Sequence, residues 1–452
     1  MIGSSKNSKG GMWLLSVSTL AIFASSVALA DDAGVSAPSQ AAPGAAIPGA
    51  AIPAALASGA APSGGIPYGS WMLYPSLFAG AVLDDNVYRT RSNRTSAAGV
   101  RLSPAFEADL DTGVHKTTIY GNLDTKIFPG YNASLGETAT TISGRGGFAH
   151  AWSPTSDLVV RASADFTRQD GPFGSALLTG SQNGTATSFV GAPVALNVNG
   201  FRQFTDTTTA NLSVEKTFTE QTFLRVGAGV QQLIYERPPV GVATAQSGND
   251  YNGFVRGGFW VTPQVNAFVE VGGDLRRYDG NGLYDANGYR VVGGLSTDMV
   301  RLFKGEIYGG YQVQYSVFDV FAPQSAPTFG AKVTYYPTQY LNIAASFDDS
   351  FGSVAPVTVG YVSTRVMQAR LQADYSLYEF WKASVRGGYA RTTYINSPTL
   401  AQAWLGGAGL SYSFWRNYAM TLDYQYTRSE SNGVGALTYS DNTVTAGVTY
   451  HY

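Results

Sequence analysis

Cysteine is absent from the 452 residues, which excludes a disulfide framework, thiolate chemistry and a lipid-attachment cysteine behind an export signal. Histidine is almost as scarce. His115, His150 and His451 form no i,i+4 pair and no metal-ligand spacing, so they read as interface residues and no metal site is expected. Charged residues make up only 13% of the chain, against about a quarter in ordinary soluble domains. After residue 30 no stretch approaches the roughly 18 uncharged apolar residues of a membrane helix, and no segment reads as a helix. Neither a Gly-x-Ser-x-Gly elbow nor a phosphate loop occurs in a strand-to-helix setting, and no base stands marked beside a nucleophile. The chain is therefore expected to be no enzyme and to carry no cofactor.

What the chain has in quantity is aromatic residues, 13% of the total, with 53 Gly and 28 Tyr. Mean hydropathy lies near zero, at −0.04. Those proportions suit a wall with lipid on one side and water on the other, because such a wall places an apolar residue at every second position.

The amino terminus reads as an export signal. Lys6 and Lys9 supply the positive start, Met12 to Val27 the apolar run, and Ala28-Leu29-Ala30 the small-x-small cleavage site. Removing residues 1–30 leaves 27 basic against 31 acidic residues, a balance that argues against nucleic acid as a partner. Ala33 to Leu83 contains no charged residue, and six prolines fall between Pro38 and Pro67. Residues 31–67 therefore read as a flexible periplasmic linker, with the strand-forming region at 68–452.

The last eleven residues show the pattern most plainly. Val444, Ala446, Val448, Tyr450 and Tyr452 share one parity, while Thr443, Thr445, Gly447, Thr449 and His451 share the other. A strand of this length ending on an aromatic residue matches a tilted membrane-spanning β-strand. Val448, Tyr450 and Tyr452 resemble the terminal assembly signal of outer-membrane barrels, although the usual last residue there is Phe. From Ser70 onward such segments recur between short turns at Asp111-Thr112-Gly113, Ser153-Pro154-Thr155, Thr219-Glu220-Gln221, Thr262-Pro263-Gln264, Lys304-Gly305, Pro337-Thr338-Gln339, Tyr378-Glu379 and Arg416-Asn417. These predict an all-β, antiparallel, up-and-down transmembrane barrel of about 18 strands, or 16 if Trp71 to Leu83 is not in the wall. Trp152, Phe218, Trp260, Phe303, Tyr335, Tyr336, Phe380, Trp381, Phe414 and Trp415 beside the turns predict one aromatic girdle. Tyr88, Phe128, Phe166, Tyr235, Tyr278, Tyr394 and Tyr426 near the longer loops predict a second.

Strand parity assigns an inward face to Glu107, Asp109, Asp124, Asp165, Glu215, Glu270, Asp274, Glu306, Asp374 and Asp423. It assigns the same face to Arg101, Lys126, Arg161, Arg225, Arg256, Arg276, Arg370, Lys382 and Arg386. Ten acids against nine bases is not the single-sign ring of a strongly ion-selective pore. Two readings of these charges stand side by side: they line a weakly selective channel for polar solutes, or they pair across strands and stabilise the wall. The longest outward loop, Asp170 to Asn197, is the third of its kind. With Asp170, Pro172 and Phe173 at its start, it is a candidate for folding inward as a constriction, the alternative being a surface loop.

Trp71 to Thr90 contains Tyr74-Pro75-Ser76-Leu77 followed by Asp84-Asp85-Asn86-Val87-Tyr88-Arg89-Thr90. This opening resembles that of the outer-membrane family called β-barrel porin 2, and the resemblance extends through the succession of strands to the aromatic terminus. Members are frequently encoded near exopolysaccharide or capsule functions. The resemblance implies an integral outer-membrane barrel that assists export of an exopolysaccharide or surface polymer. A diffusion or uptake porin for small polar solutes is one alternative, and a structural or adhesive barrel with a blocked lumen is another. The expected partners are outer-membrane lipid and lipopolysaccharide, the barrel-assembly machinery, and polysaccharide or polysaccharide-export proteins. For Asp84, Asp85 and Asn86 the physical reading is a polar strand end and turn, and a calcium or sugar contact is the alternative.

Overall fold

The computed structural model describes residues 65–130, 140–171, 203–236, 247–279, 282, 285–300, 302–318, 322–352, 364–378, 380–395, 400–432 and 438–452. Nineteen strands run through them: β1 (Ile66–Tyr68), β2 (Trp71–Asp84), β3 (Ala97–Asp111), β4 (His115–Ile127), β5 (Thr141–Thr155), β6 (Leu158–Gly171), β7 (Gln203–Thr219), β8 (Thr222–Glu236), β9 (Gly248–Thr262), β10 (Val265–Tyr278), β11 (Ala286–Val300), β12 (Phe303–Ser316), β13 (Gln324–Thr338), β14 (Leu341–Gly352), β15 (Thr364–Leu377), β16 (Trp381–Tyr394), β17 (Leu400–Trp415), β18 (Tyr418–Ser431) and β19 (Tyr439–His451). From β2 onward each strand pairs antiparallel with the next, and β19 pairs back onto β2 from Thr443↔Asp84 to His451↔Ser76. Eighteen strands thus close on themselves without an edge, the arrangement that satisfies every ladder in a medium without water. Trp71 to Leu83 is in the wall, which decides between eighteen strands and sixteen.

β1 is not part of the ring. It lies on β2 with Ile66 opposite Leu73 and Tyr68 opposite Trp71, along the stretch of β2 that β19 leaves uncovered below Ser76. Pro67 sits in this short edge pairing, where a missing N–H is tolerated.

Alternation explains the faces. In β10, Val269 and Val271 are more than half exposed around the exterior, while Glu270 between them is fully buried. The same split places Leu83, Leu212, Val255, Leu371, Val385 and Leu422 outside, so the exterior is an apolar band and polar side chains fill the other parity. At about 3.4 Å per residue, strands of 12 to 17 residues are long enough to cross hydrocarbon at a tilt.

Six of the eight short turns fall where the sequence places them. At the other two the reversal is displaced, later in the chain at one and earlier at the other. Pro154 lies inside β5, in an irregularity between Trp152 and Thr155 where no ladder bond is lost, so the reversal moves to Ser156-Asp157. Lys304 and Gly305 are already paired in β12, and the reversal comes between Val300 and Phe303. Gly113 shows why its turn is tight: its φ is +80°, and its N–H donates to Asp111 Oδ1 at 2.8 Å.

Trp152, Phe218, Phe303, Phe380, Trp381, Phe414 and Trp415 are exposed on the exterior at the short-turn end. Tyr335 stacks on Phe303 at 4.5 Å. Trp260 does not join them, because it falls on the inward parity of β9 and packs beside Phe223, ring centroids 6.2 Å apart. At the long-loop end Phe128 is buried with Val82 and Ala97, and Tyr88 packs against that cluster; these two rings cap the interior rather than belting the outside. The side chains of Tyr235 and Tyr394 lie outside the described residues. His115 and His150 stack at 5.5 Å on the outer face beside Trp152, while His451 takes the inward parity. Val448 and Tyr450 point outward, Tyr450 lying 5.1 Å from the Tyr418 ring, and Tyr452 is about half exposed.

Candidate channel interior

Each of the nineteen charged residues assigned inward by parity falls on the face opposite the apolar band, and ion pairs join many of them across neighbouring strands. Arg101 on β3 donates to Asp124 on β4 at 2.6 Å. Glu215 on β7 accepts from Arg225 on β8 at 2.6 Å and faces Arg161 on β6 at 3.6 Å. Arg386 on β16 reaches past β17 to hold Asp423 on β18 through two bonds of 2.7 Å. Asp165 accepts from Arg145 and Tyr120, each at 2.7 Å. Asp109 accepts from Thr118 Oγ1 at 2.6 Å, and Asp374 from Gln372 at 2.9 Å. Glu107 and Arg386 are buried, and Lys126, Arg370 and Lys382 share their parity on β4, β15 and β16. No single-sign ring forms among the described residues.

The densest part of the interior spans β9 to β14. Arg256 donates to Glu270 at 2.8 Å and to Glu306 at 2.7 Å, and its guanidinium lies 4.0 Å from the centroid of Phe268. Arg290 donates to the other oxygen of Glu270 at 2.9 Å. Arg256, Glu270 and Arg290 are each at most 3% exposed, so removing one charge strands the others away from water. Next to them Tyr308 donates to Asp348 at 2.8 Å. Its ring lies across Gly330, where any Cβ would run into it, so Gly330 sets where that hydroxyl points. Higher up, Arg276 stands 3.0 Å from Asp274 and 3.5 Å from Asp250.

One end of the wall departs from continuous pairing. β14 keeps its pairing with β13 only as far as Phe329↔Asp349, yet continues with β15 to Gly352↔Thr364. The freed edge is completed by inward side chains of other strands. The Phe351 N–H donates to Gln312 Oε1 on β12 at 3.1 Å, and the Phe351 carbonyl accepts from Arg276 on β10 at 3.2 Å. Both partners have the inward parity of their strands, so this end of β14 is held from the interior side. Phe351 is consequently 4% exposed, although its parity is that of the outer face. The expected constriction, the third outward loop, lies outside the described residues: Pro172 and Phe173 are not among them. Asp170 is described only as a backbone partner of Phe204 in β6.

The Asp84–Thr90 motif forms the second feature, at the long-loop end of the closing seam. Asn86 is fully buried and every hydrogen-bonding group of its amide is engaged. Its Nδ2 donates to the carbonyls of Thr90 and Ser440 at 2.8 and 2.9 Å, and its Oδ1 accepts from Thr90 N at 2.9 Å. Asp85 accepts from Asn442 N at 2.7 Å and Asn442 Nδ2 at 2.6 Å, while Asp84 caps Asn86 N at 2.9 Å. Arg89, at φ +51°, brings its Nε to 3.6 Å from Asp441, and Tyr88 packs on the Val82 cluster. The motif thus forms a hydrogen-bonded polar turn that also stitches the first wall strand to the last.

Sequence reasoning missed Arg145, Asp250, Arg290, Asp348 and Asp441, all of which share the inward parity of their strands. The signal was present in each. Arg290, for example, alternates with Val291 just as Glu270 does with Val271.

A closed antiparallel barrel with an apolar exterior and a charged, internally paired interior defines an outer-membrane-type porin. The family described as "Putative beta-barrel porin 2" matches residues 61–452, and the chain belongs to it. No curated protein matches the chain. Among solved structures, the chain is similar to the FrpB iron transporter of Neisseria meningitidis in its F5-1 apoprotein form. Identity is 8%, 86% of this chain and 82% of that one are covered, and the TM-score is 0.42. The siderophore receptor PirA of Acinetobacter baumannii shares 8% identity over 84% and 80% of the two chains, with a TM-score of 0.41. For Acinetobacter baumannii OccAB4 the values are 9%, 84% and 98%, and 0.40.

Proposed function

We propose that this barrel is a passive, non-enzymatic channel in the outer membrane that assists export of an exopolysaccharide or surface polymer. The observation that carries the channel reading is the interior. Eighteen strands are wide enough to leave an aqueous path, and the inward charges neutralise one another locally instead of presenting one sign. A path of that kind attracts neither anions nor cations strongly. Polar groups such as those of Gln372, Gln425 and Asp374 offer a chain of hydroxyls hydrogen bonds that are replaced one for another during passage. The polymer itself is suggested by the resemblance of the Asp84–Thr90 opening to a family encoded beside exopolysaccharide functions. In this reading residues 1–30 direct export, residues 31–64 form a periplasmic linker that ends before β1, and polysaccharide-export proteins are the partners.

Deleting the gene and weighing secreted polymer tests the proposal. Export predicts a marked fall in released polymer that the wild-type gene restores. Unchanged polymer together with slower entry of small polar nutrients would make the barrel an uptake porin instead.

A further inference from the structure

At the long-loop end of the seam, Asp84, Asp85 and Asp441 each bring one carboxylate oxygen within 4.8 Å of the others. Closeness of acids alone would mean little, but the state of Asp441 adds a separate observation. Asp441 is 3% exposed, and its buried Oδ1 accepts no hydrogen bond. A buried carboxylate oxygen without a donor forfeits its hydration for nothing. Arg89 Nε stands 3.6 Å from the other oxygen, Oδ2. Arg89 and Lys126 are cationic groups that act on Asp441, and Asp84 is a carboxylate that acts on it.

We propose that Asp84, Asp85 and Asp441 bind a hard divalent cation of the calcium type, which ties the loop after β2 to the last strand. Oxygen-only ligands of this charge suit calcium or magnesium rather than a softer metal. Asp85 is held in place by Asn442 at 2.6 and 2.7 Å, and Asp84 by Asn86 at 2.9 Å, so two of the three ligands are preset. Binding there bridges β2 and β19 where the barrel closes, and strengthens the junction against opening.

Terbium luminescence tests the site, because Tyr439, two residues from Asp441 on the same face of β19, can sensitise a bound lanthanide. The folded mature chain in detergent, stripped with EDTA, is expected to give saturable emission that calcium or magnesium displaces. Asp441→Asn should weaken apparent affinity by at least about tenfold, since affinity at such sites follows ligand charge. Asp85→Asn should do the same, and it carries the test if Asp441→Asn fails to fold. Asp109→Asn, at the other end of the barrel, should leave binding unchanged. Absence of saturable emission from the folded wild-type chain, or wild-type affinity in both Asp441→Asn and Asp85→Asn, overturns the proposal.

Discussion

Replacing Glu270 by glutamine lowers the stability of the folded barrel by about 3–5 kcal/mol, the cost of breaking a buried ion pair from one side. Glu270 is the centre of its group. Its two oxygens accept from Arg256 and Arg290 at 2.8 and 2.9 Å, and none of the three side chains meets solvent appreciably. Glutamine keeps the volume and one acceptor but removes the charge. Arg256 retains Glu306 at 2.7 Å, whereas Arg290 loses the carboxylate that faced it. Urea-induced unfolding in detergent micelles measures the difference. Glu430→Gln, which removes half of an exposed pair with Arg428, provides the contrast and should leave the midpoint almost unchanged. Equal shifts for the two variants would show that the interior network is hydrated and worth little.

The second large effect concerns the end of β14 held from the interior side. Replacing both Gln312 and Arg276 by alanine removes the two side chains that complete the Phe351 edge. One neutral and one charge-assisted hydrogen bond together are worth about 2–4 kcal/mol. That corresponds to roughly a 30- to 1,000-fold loss in the ratio of docked to undocked hairpin. The expected result in planar bilayers is a larger unitary conductance, with Gln312→Ala alone moving it less in the same direction. Loss of Arg276 also leaves Asp250 and Asp274 without the guanidinium 3.5 and 3.0 Å away, so selectivity should move toward cations. Unchanged conductance and selectivity would mean that this end of β14 does not narrow the path.

Legibility in the sequence followed the range of the interactions involved. A strand with one lipid face declares itself through period-2 alternation, which is local, so the eighteen-strand wall and the alternation of its two faces could be read residue by residue. Exceptions arose where a ring's parity, not its place beside a turn, decided its direction. Trp260 and Phe128 are near strand ends as the girdle requires, yet they occupy inward positions and pack against Phe223 and Val82. Pairing partners were not legible, because they depend on register between strands far apart in the chain. Arg256 meets Glu306 across fifty residues and three strand boundaries. Asp85 meets Asn442 only because the ring closes. The departure of β14 from continuous pairing was hidden for the same reason: what holds Phe351 from the interior side is a glutamine on β12 and an arginine on β10. The opening motif was visible as a polar turn, but its role in joining first strand to last needed the three-dimensional neighbours Ser440, Asp441 and Asn442.

The central claim is that this wall encloses a water-filled path through hydrocarbon, and single-channel recording of the folded mature chain in planar bilayers tests it most directly. The account predicts discrete open steps with weak preference between cations and anions, as expected of an interior whose acids and bases pair with one another. A correctly folded barrel that inserts yet passes no current would contradict it.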